Sequence, residues 1–211
     1  MKTQERILQT ALSLFNRDGV TKTTVRHIAA KMGISHGNLC YHYTDTGEIV
    51  FALYLEMVSG LDHLIHVALE KEIDLTRLLE INRSSFDLLF RYRFIFIDFA
   101  HIMRSNAKLR THYRKLAHVR KSQITIMLEA LVMKGFLKKE PIKDHFKQLA
   151  EIYMVLVNFW MTEAEITLTG SLRQRMNYFI PVIQSFLVPY LTSKGLQQYL
   201  DHQKHQSHEK T

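Results

Sequence analysis

Between Thr23 and Tyr43 the sequence places short polar side chains at spacings suited to hydrogen bonding with another molecule. Ser35 stands where a helix N-cap is expected, because its hydroxyl can accept a hydrogen bond from a free amide of the next turn. His36 and Asn38 follow in that first turn, where both can reach base edges in a DNA groove, and asparagine matches adenine with two hydrogen bonds. Gly37 lets the same turn approach another surface closely. The chemistry that this pattern predicts is recognition of bases.

Two short helices crossing at a steep angle would hold this turn in place. Such a crossing needs a small residue at the contact and a glycine in the turn, and Ala29 and Gly33 supply them. The apolar residues that would clamp the two helices are Ile28, Met32, Ile34 and Leu39. The pattern predicts a helix-turn-helix, in which Tyr41 and His42 are better placed for backbone phosphates than for bases. The alternative is a tight turn between two helices inside an ordinary bundle.

The whole chain has the apolar periodicity of helices, so the sequence predicts an all-α fold. The first helix begins after Thr3 as its cap and ends before Gly19, and Pro181 is expected to kink the last one. We predict three segments: a DNA-binding domain at 1–46, a ligand-binding and dimerisation domain at 47–193, and a polar tail at 194–211 that is disordered or frayed. The nine predicted helices span about 4–18, 24–33, 35–43, 46–71, 75–92, 95–104, 107–134, 142–169 and 172–191.

Composition bounds the environment and the partners. The 211 residues include one cysteine, Cys40, which excludes an internal disulfide, and the first residues lack the apolar run of a signal peptide. The apolar stretch 152–161 is too short to span a bilayer, so we expect a cytoplasmic protein. A net charge of +8 favours polyanionic partners.

The positive charge is not where the helix-turn-helix is. Residues 83–143 contain fourteen Lys and Arg against four Asp and Glu, a balance of 14 − 4 = +10, whereas residues 1–50 have six against four, or +2. The prediction of DNA binding therefore rests on the pattern of residues and not on charge.

The first 50 residues or so resemble the TetR family of bacterial repressors. The resemblance is carried by Ile7 to Phe15 followed by Asp18-Gly19, by Thr24-Val25-Arg26-His27-Ile28-Ala29, by Gly33-Ile34-Ser35-His36-Gly37-Asn38-Leu39, and by Tyr41-His42-Tyr43. It implies an Ω-shaped homodimer of nine helices per subunit that binds a palindromic operator as a repressor. Helices 1–3 would bind DNA, helices 5–7 would enclose a pocket for a small-molecule effector, and helices 8–9 would dimerise.

The resemblance also adds Thr24, Arg26 and Thr46 to the candidate DNA contacts. Members of the family usually have a phosphate-binding lysine just before helix 4, where this chain has Thr46, so that contact is expected to be weaker or replaced by basic groups elsewhere. The aromatic residue usual at position 40 is replaced by Cys40, which we expect to be a small packing residue and not a redox switch.

Aromatic and sulfur-containing side chains in the middle of the chain could line an effector cavity between helices 5, 6 and 7, although ordinary core packing explains each of them as well. The candidates are Phe86, Phe90, Phe94, Phe99, Met103, Tyr113 and Met127. Arg120 lies in line with the apolar residues Leu116 and Ile124, so a buried guanidinium would need an anion. With His101 it could pair with an acidic group on an apolar effector; the alternatives are an internal carboxylate or a side chain reaching the surface.

A dimer is expected through the two predicted helices near the C-terminus. The apolar residues proposed to face the partner are Ile152, Val155, Phe159, Ile166, Phe179, Ile183 and Phe186.

Three other functions are alternatives to this interpretation. The runner-up is a dimeric DNA-binding protein that responds to no effector and whose second half only dimerises. An enzyme is disfavoured, since the sequence lacks a phosphate-binding glycine loop and a nucleophile elbow, and no cofactor is expected. A membrane-surface role for the basic middle has no amphipathic segment to support it. His202, His205 and His208 have a spacing that could bind a metal if helical, but a solvated tail is the favoured interpretation, and no metal is expected.

Overall fold

Helix-forming segments with apolar stripes fill most of the chain, as the sequence predicts. The computed structural model describes residues 2–70 and 72–208, and within them it contains eleven α-helices, one 3-10 helix and no β-strand. The all-α prediction is confirmed. The α-helices are α1 Thr3–Asp18, α2 Val25–Met32, α3 His36–His42, α4 Thr46–Leu69, α5 Leu75–Arg91, α6 Phe94–Ile97, α7 Phe99–Ser105, α8 Ala107–Met133, α9 His145–Thr167, α10 Leu172–Gln184 and α11 Ser193–His208; the 3-10 helix is Ser185–Tyr190.

Most predicted helices begin and end within a few residues of the observed ones, with three differences. The N-cap of α1 is Lys2 and not Thr3. The helix predicted over 95–104 is broken at Asp98 into α6 and α7. Three consecutive side chains of the single-turn helix α6, at positions 94–96, are buried. The helix predicted over 172–191 is α-helical through Pro181 as far as Gln184. From Ser185 to Tyr190 it continues as the 3-10 helix.

The chain folds as two units, and their boundary is not at residue 46. Unit 1 contains the chain up to Leu61 together with Leu88–Arg114; unit 2 contains Asp62–Asp87 and the chain from Lys115 onward. In unit 1 the side chain of Asn16 accepts a hydrogen bond from the amide of Phe94 at 3.2 Å and donates one to the carbonyl of Arg91 at 2.8 Å. These bonds attach the 88–114 segment to α1, so part of the predicted second domain belongs with the DNA-binding helices.

Helix α4 is the one helix in the described residues that is long and apolar enough to cross a membrane, judged by length and composition. Its first half buries Ile49, Leu53 and Tyr54, each at most 1% exposed, inside unit 1. Core helices of globular proteins often pass the same test, so this is weak evidence for a membrane.

Unit 2 is built around a core to which α11 contributes. The core residues are Leu75, Leu79, Leu128, Leu131, Phe136, Leu137, Phe146, Leu149, Leu187, Leu191 and Tyr199. Tyr199 and His202 lie in the segment predicted to be disordered or frayed, but both are buried, each 8% exposed, and they hold α11 against the unit. Because 194–208 is helical, the prediction is wrong for these residues. Burial lowers the pKa of His202. Of the other histidines in the possible metal-binding pattern, the side chain of His208 lies outside the described part of the chain, as do residues 209–211. Gly195, Tyr199 and His202 recur at helical spacing and are buried, whereas Leu196 and Leu200 are exposed, so one face of α11 packs on the unit.

Gly195 is a point of close approach between α11 and the rest of unit 2. A Cβ at this position would lie 2.2 Å from the backbone carbonyl oxygen of Phe136, which a real Cβ cannot do without moving the helix. We expect Gly195→Ala to lower the free energy of unfolding by about 2 kcal/mol, and the melting temperature by roughly 4–8 °C, measured by circular dichroism. Ser193→Ala, an exposed position in the same helix, should change stability by less than about 0.5 kcal/mol. Equal effects of both changes would mean that α11 does not pack closely at Gly195.

Candidate DNA-binding interface

The helix-turn-helix is fixed by capping residues at each end of α2. The hydroxyl of Thr24 accepts a hydrogen bond from the amide of His27 at 3.3 Å. At the other end Gly33 has φ +67°, a left-handed conformation that favours glycine, and its amide donates to the carbonyl oxygens of Ala29 and Ala30. The chain therefore turns sharply between α2 and α3, as the sequence predicts.

Helix α3 is anchored on one side and open on the other. The hydroxyl of Ser35 accepts a hydrogen bond from the amide of Asn38 at 3.1 Å, which caps the helix. Leu39 is fully buried, and Tyr43 is 6% exposed and accepts a hydrogen bond from the Gln4 side chain at 3.0 Å. Burial raises the pKa of Tyr43. These contacts hold the short helix in a fixed orientation.

The remaining side chains of α3 form one exposed polar surface, which we call the α3 face: His36, Gly37, Asn38 and Tyr41. Tyr41 is 86% exposed, so its ring and hydroxyl are open to solvent. His42 is half-buried, with its ring centroid 5.2 Å from that of Tyr41 in an edge-to-face arrangement. The structure brings the predicted residues 35–42 together on one small rigid element.

The other three candidate DNA contacts lie beside this surface in the sequence. Arg26 is exposed on α2, whereas the hydroxyl of Thr24 is already used as a cap. Thr46 is the first residue of α4 and half-buried. Around it, the Asp45 carboxylate accepts from the amide of Glu48 at 2.9 Å and the Glu48 carboxylate accepts from the amide of Thr44 at 2.8 Å. The start of α4 is thus well capped but carries negative, not positive, charge.

Cys40 is half-buried, with its Sγ 3.4 Å from Nε2 of His36 one turn earlier. A small residue at this position leaves room for the imidazole, and the contact restricts its orientation. The expected packing role therefore includes positioning of His36.

Gly37 gives a test of whether the α3 face meets another surface. A Cβ at Gly37 would have no atom within 4 Å, and the position is helical, so Gly37→Ala should keep or raise stability by up to about 1 kcal/mol. If DNA approaches the first turn closely, the added methyl group will lower DNA affinity at the same time. Denaturant unfolding and fluorescence anisotropy with duplex DNA measure the two effects.

Gly33→Ala is the matched control for this change. Its Cβ would also meet no atom within 4 Å, but at φ +67° alanine is strained, so we expect a loss of about 1–2 kcal/mol of stability. Full DNA affinity in the Gly37→Ala protein would contradict a close approach at this turn.

The nine candidate effector residues divide between the two units. In unit 1, Phe94 packs against Phe15 with ring centroids 5.1 Å apart, and Phe99 lies edge-to-face with Tyr113 at 5.2 Å. Phe90 is half-buried, Met103 is buried, and His101 is exposed, which is not what a residue lining a closed cavity would show. In unit 2, Phe86 is fully buried and stacks on Trp160 at 5.3 Å, and Met127 is buried. Core packing accounts for Phe86 and Phe94.

Arg120 has an internal partner. Its guanidinium donates hydrogen bonds to the carboxylate of Asp62 and, at 2.8 Å, to the side chain of Gln123. The side chain of Arg120 is 11% exposed, so the ion pair satisfies a nearly buried charge. The structure agrees with the internal-carboxylate alternative, and an effector anion is not needed to explain this residue.

The helices predicted to dimerise expose an apolar surface, but not at all of the predicted positions. On α9 the exposed residues are Ile152, Val155, Phe159 and Ile166, between 45% and 76% exposed. On α10, Ile183 is 1% exposed and lies in the core, so its assignment to an interface is wrong. Phe179 on α10 and Phe186 in the 3-10 helix are both half-buried within unit 2. Their ring centroids lie 5.8 Å from that of Trp160 and 5.6 Å from that of Tyr153, respectively.

The outward face of α10, which the sequence pattern does not single out, presents Tyr178 and Val182, 57% and 48% exposed. Met176, Ile180 and Ile183 alternate with them at helical spacing and point inward, each at most 1% exposed. Because both faces of this helix contain apolar residues, periodicity alone does not reveal which one is buried.

Comparison with known proteins agrees with this geometry. A family model described as bacterial regulatory proteins of the tetR family matches residues 7–53, and a TetR model described as bacterial transcriptional repressor matches residues 56–199. Among solved structures, a TetR-family transcriptional regulator from Marinobacter aquaeolei VT8 is 27% identical with a TM-score of 0.84, over 97% of this chain and 98% of that one.

Two further structures share the fold at lower identity. A putative transcriptional regulator from Saccharomonospora viridis, in complex with choline, is 20% identical with a TM-score of 0.69, covering 87% of this chain and 94% of that one. A ketosteroid transcriptional regulator of Mycobacterium tuberculosis is 17% identical with a TM-score of 0.66, covering 91% and 96%. Since the second family model alone spans more than half of the sequence, the chain belongs to the TetR family of bacterial transcriptional regulators.

Proposed function

We propose that the protein is a homodimeric repressor that binds a palindromic operator in the bacterial cytoplasm and leaves it when a small-molecule effector binds. The observation that carries the proposal is the α3 face, a capped and anchored turn whose His36 and Asn38 side chains are open to solvent. A rigid polar helix start of this kind is the element with which helix-turn-helix proteins read the major groove.

Dimerisation is supported by the apolar surface of α9 and α10. Soluble monomers rarely leave several large apolar side chains exposed on neighbouring helices, and residues 152, 155, 159 and 166 on α9 and 178 and 182 on α10 do so here. A two-fold axis through this surface would present two α3 faces to one duplex, which matches a palindromic site.

Release by an effector requires that the effector bind one subunit shape better than the other, since a ligand with equal affinity for both shifts nothing. The choline complex of the Saccharomonospora viridis regulator supports small-molecule binding by this fold. Helix α4 begins at the helix-turn-helix and extends from unit 1 into unit 2. Helices α5 and α8 also run from one unit into the other, so a change of shape in unit 2 would reach the DNA-binding helices through these three covalent links.

An effector-independent DNA-binding dimer is the second candidate. It is favoured by the pairing of Arg120 with Asp62, which removes the one charged group predicted to attract an effector. Saturating metabolites that never change operator affinity would support this second function.

The experiment that tests the proposal is selection of bound duplexes from a random pool by the purified protein, followed by a metabolite screen on the recovered sequence. A palindromic consensus bound by a dimer, and at least one metabolite that weakens binding tenfold or more, are expected. Recovery of unrelated sequences would exclude sequence-specific regulation, and a consensus that no metabolite affects would leave only the second candidate.

A further inference from the structure

The positive charge of the chain is concentrated in a segment that the helix-turn-helix does not explain. From Phe99 to Leu128 the sequence contains seven Lys and Arg and neither Asp nor Glu. The cations are Arg104, Lys108, Arg110, Arg114, Lys115, Arg120 and Lys121. The first four belong to unit 1, the unit that also contains α1, α2 and α3. Half of this basic segment therefore folds together with the DNA-binding helices.

One side chain joins the start of the basic segment to the start of α4. The side-chain amide of Asn106 donates a hydrogen bond to the carbonyl of Gly47 at 2.9 Å, and its oxygen accepts one from the amide of Leu109 at 2.9 Å. The first bond fixes Asn106 to the first turn of α4, and the second caps α8. The junction between α7 and α8 is thus held beside residues 46 and 47.

Two cations at this junction are available for a ligand. Lys108 lies over α4 with its Nζ 4.6 Å from the centroid of the Phe51 ring, and Arg104 is the penultimate residue of α7. Both side chains are exposed, and neither forms an ion pair within the part of the chain that the structure describes. Arg110 differs, since its guanidinium donates to the carbonyl oxygens of Met103 and Arg104 at 2.9 and 3.2 Å and so caps α7.

The neighbouring end of the helix-turn-helix needs cations that it does not itself contain. Only residues 43–45 separate α3 from α4. The carboxylates of Asp45 in this connection and of Glu48 in the first turn of α4 repel phosphate. Thr46 brings no charge. A duplex bound at the α3 face would carry one phosphate about every 1.7 Å of its axis, so backbone must pass near this connection.

We infer that Arg104 and Lys108, which lie outside the helix-turn-helix, bind the phosphate backbone of the operator beside the α3–α4 connection. The inference rests on the proposed operator binding. It gives a function to part of the basic segment 99–128, which lies outside the helix-turn-helix. These contacts position the protein without reading sequence, because phosphates are the same at every base pair. They would also place a DNA contact on the α7–α8 junction, at the edge of the effector-sensing half of the chain.

The salt dependence of operator binding tests the inference. Each phosphate contact contributes about 0.9 to the slope of log affinity against log salt concentration, and a dimer presents each residue twice. Lys108→Gln and Arg104→Gln should each reduce the slope by about 1.8, and the double variant by about 3.6. When salt rises from about 50 to about 200 mM, the affinity of the wild type would therefore fall by a factor about 12 times larger than the affinity of either single variant. The preference for the selected operator over random DNA should stay the same.

Two controls separate a phosphate contact from a general effect of charge or folding. Lys108→Arg keeps the charge and should keep the wild-type slope. If Lys108→Gln acted only by losing its contact with Phe51, operator affinity would fall by the same factor at every salt concentration and the slope would not change. Lys139→Gln removes an exposed cation from unit 2 and should leave the slope unchanged. Circular dichroism confirms that each variant is folded.

The outcomes distinguish this inference from the proposed function. Specific binding by the wild type with an unchanged slope in the double variant overturns the inference and leaves the proposed function standing. A slope that falls equally in Lys139→Gln also overturns it, since the effect would then be net charge. A wild-type protein that binds no DNA overturns both.

Discussion

Replacing Val155 by glutamate is expected to convert the protein into a monomer and to lower operator affinity by about 100-fold or more. Val155 is 56% exposed near the middle of α9, between Ile152 and Phe159 on the same face. In a two-fold dimer through this face each subunit would bury a new carboxylate beside apolar side chains, which costs several kcal/mol per unpaired charge. Once the subunits separate, the second half-site is no longer bound at the high effective concentration that the dimer provides. Analytical ultracentrifugation and fluorescence anisotropy on the selected palindrome measure the two effects.

Ile126→Glu is the matched control for this change. Ile126 is 63% exposed, lies on α8, and receives the same new charge in a helix of the same unit. It should remain dimeric and bind the operator as the wild type does. A Val155→Glu protein that stays dimeric, or an Ile126→Glu protein that dissociates equally, would refute dimerisation through α9.

The helix-turn-helix could be predicted from sequence because its determinants are local. The caps of α2 and α3 are hydrogen bonds between residues three or four apart, made by Thr24, Gly33 and Ser35, and such bonds depend on little beyond the neighbouring residues. The exposure of Asn38 follows from the same geometry, since a helix anchored by Leu39 must turn its other face outward. Because these determinants are local, the sequence alone predicts the exposed polar turn at the start of α3.

The second half of the chain depends on contacts between residues distant in sequence, and the predictions there were poorer. The partner of Arg120 is Asp62, 58 positions away, and no local pattern connects them. The polar average of the tail predicts disorder or fraying, whereas the close approach at Gly195 and the burial of Tyr199 place α11 against unit 2. Apolar residues occupy both faces of α10, so the sequence pattern does not show that Ile183 faces the core.

Asn38→Ala is expected to abolish most of the sequence preference of the protein while leaving its fold intact. The Asn38 side chain is exposed on the α3 face, and alanine is a better helix former, so stability should not fall. A bidentate contact to a base contributes about 1–3 kcal/mol of discrimination, and the dimer has two such contacts. Specific affinity should therefore fall by about 30-fold or more, while affinity for random duplex DNA is unchanged. Competition binding with operator and scrambled duplexes measures the ratio.

Measuring the salt slope distinguishes loss of a base contact at Asn38 from loss of the phosphate contacts inferred for Arg104 and Lys108. Asparagine is uncharged and releases no counterions, so Asn38→Ala should lower the specificity ratio at an unchanged slope, the reverse of what the Lys108→Gln variant should do. Gln9→Ala, at an exposed position on α1 in the same unit, is the control and should change neither quantity. If Asn38→Ala weakens operator and scrambled DNA by the same factor, Asn38 does not read bases and the α3 face serves only to position the duplex.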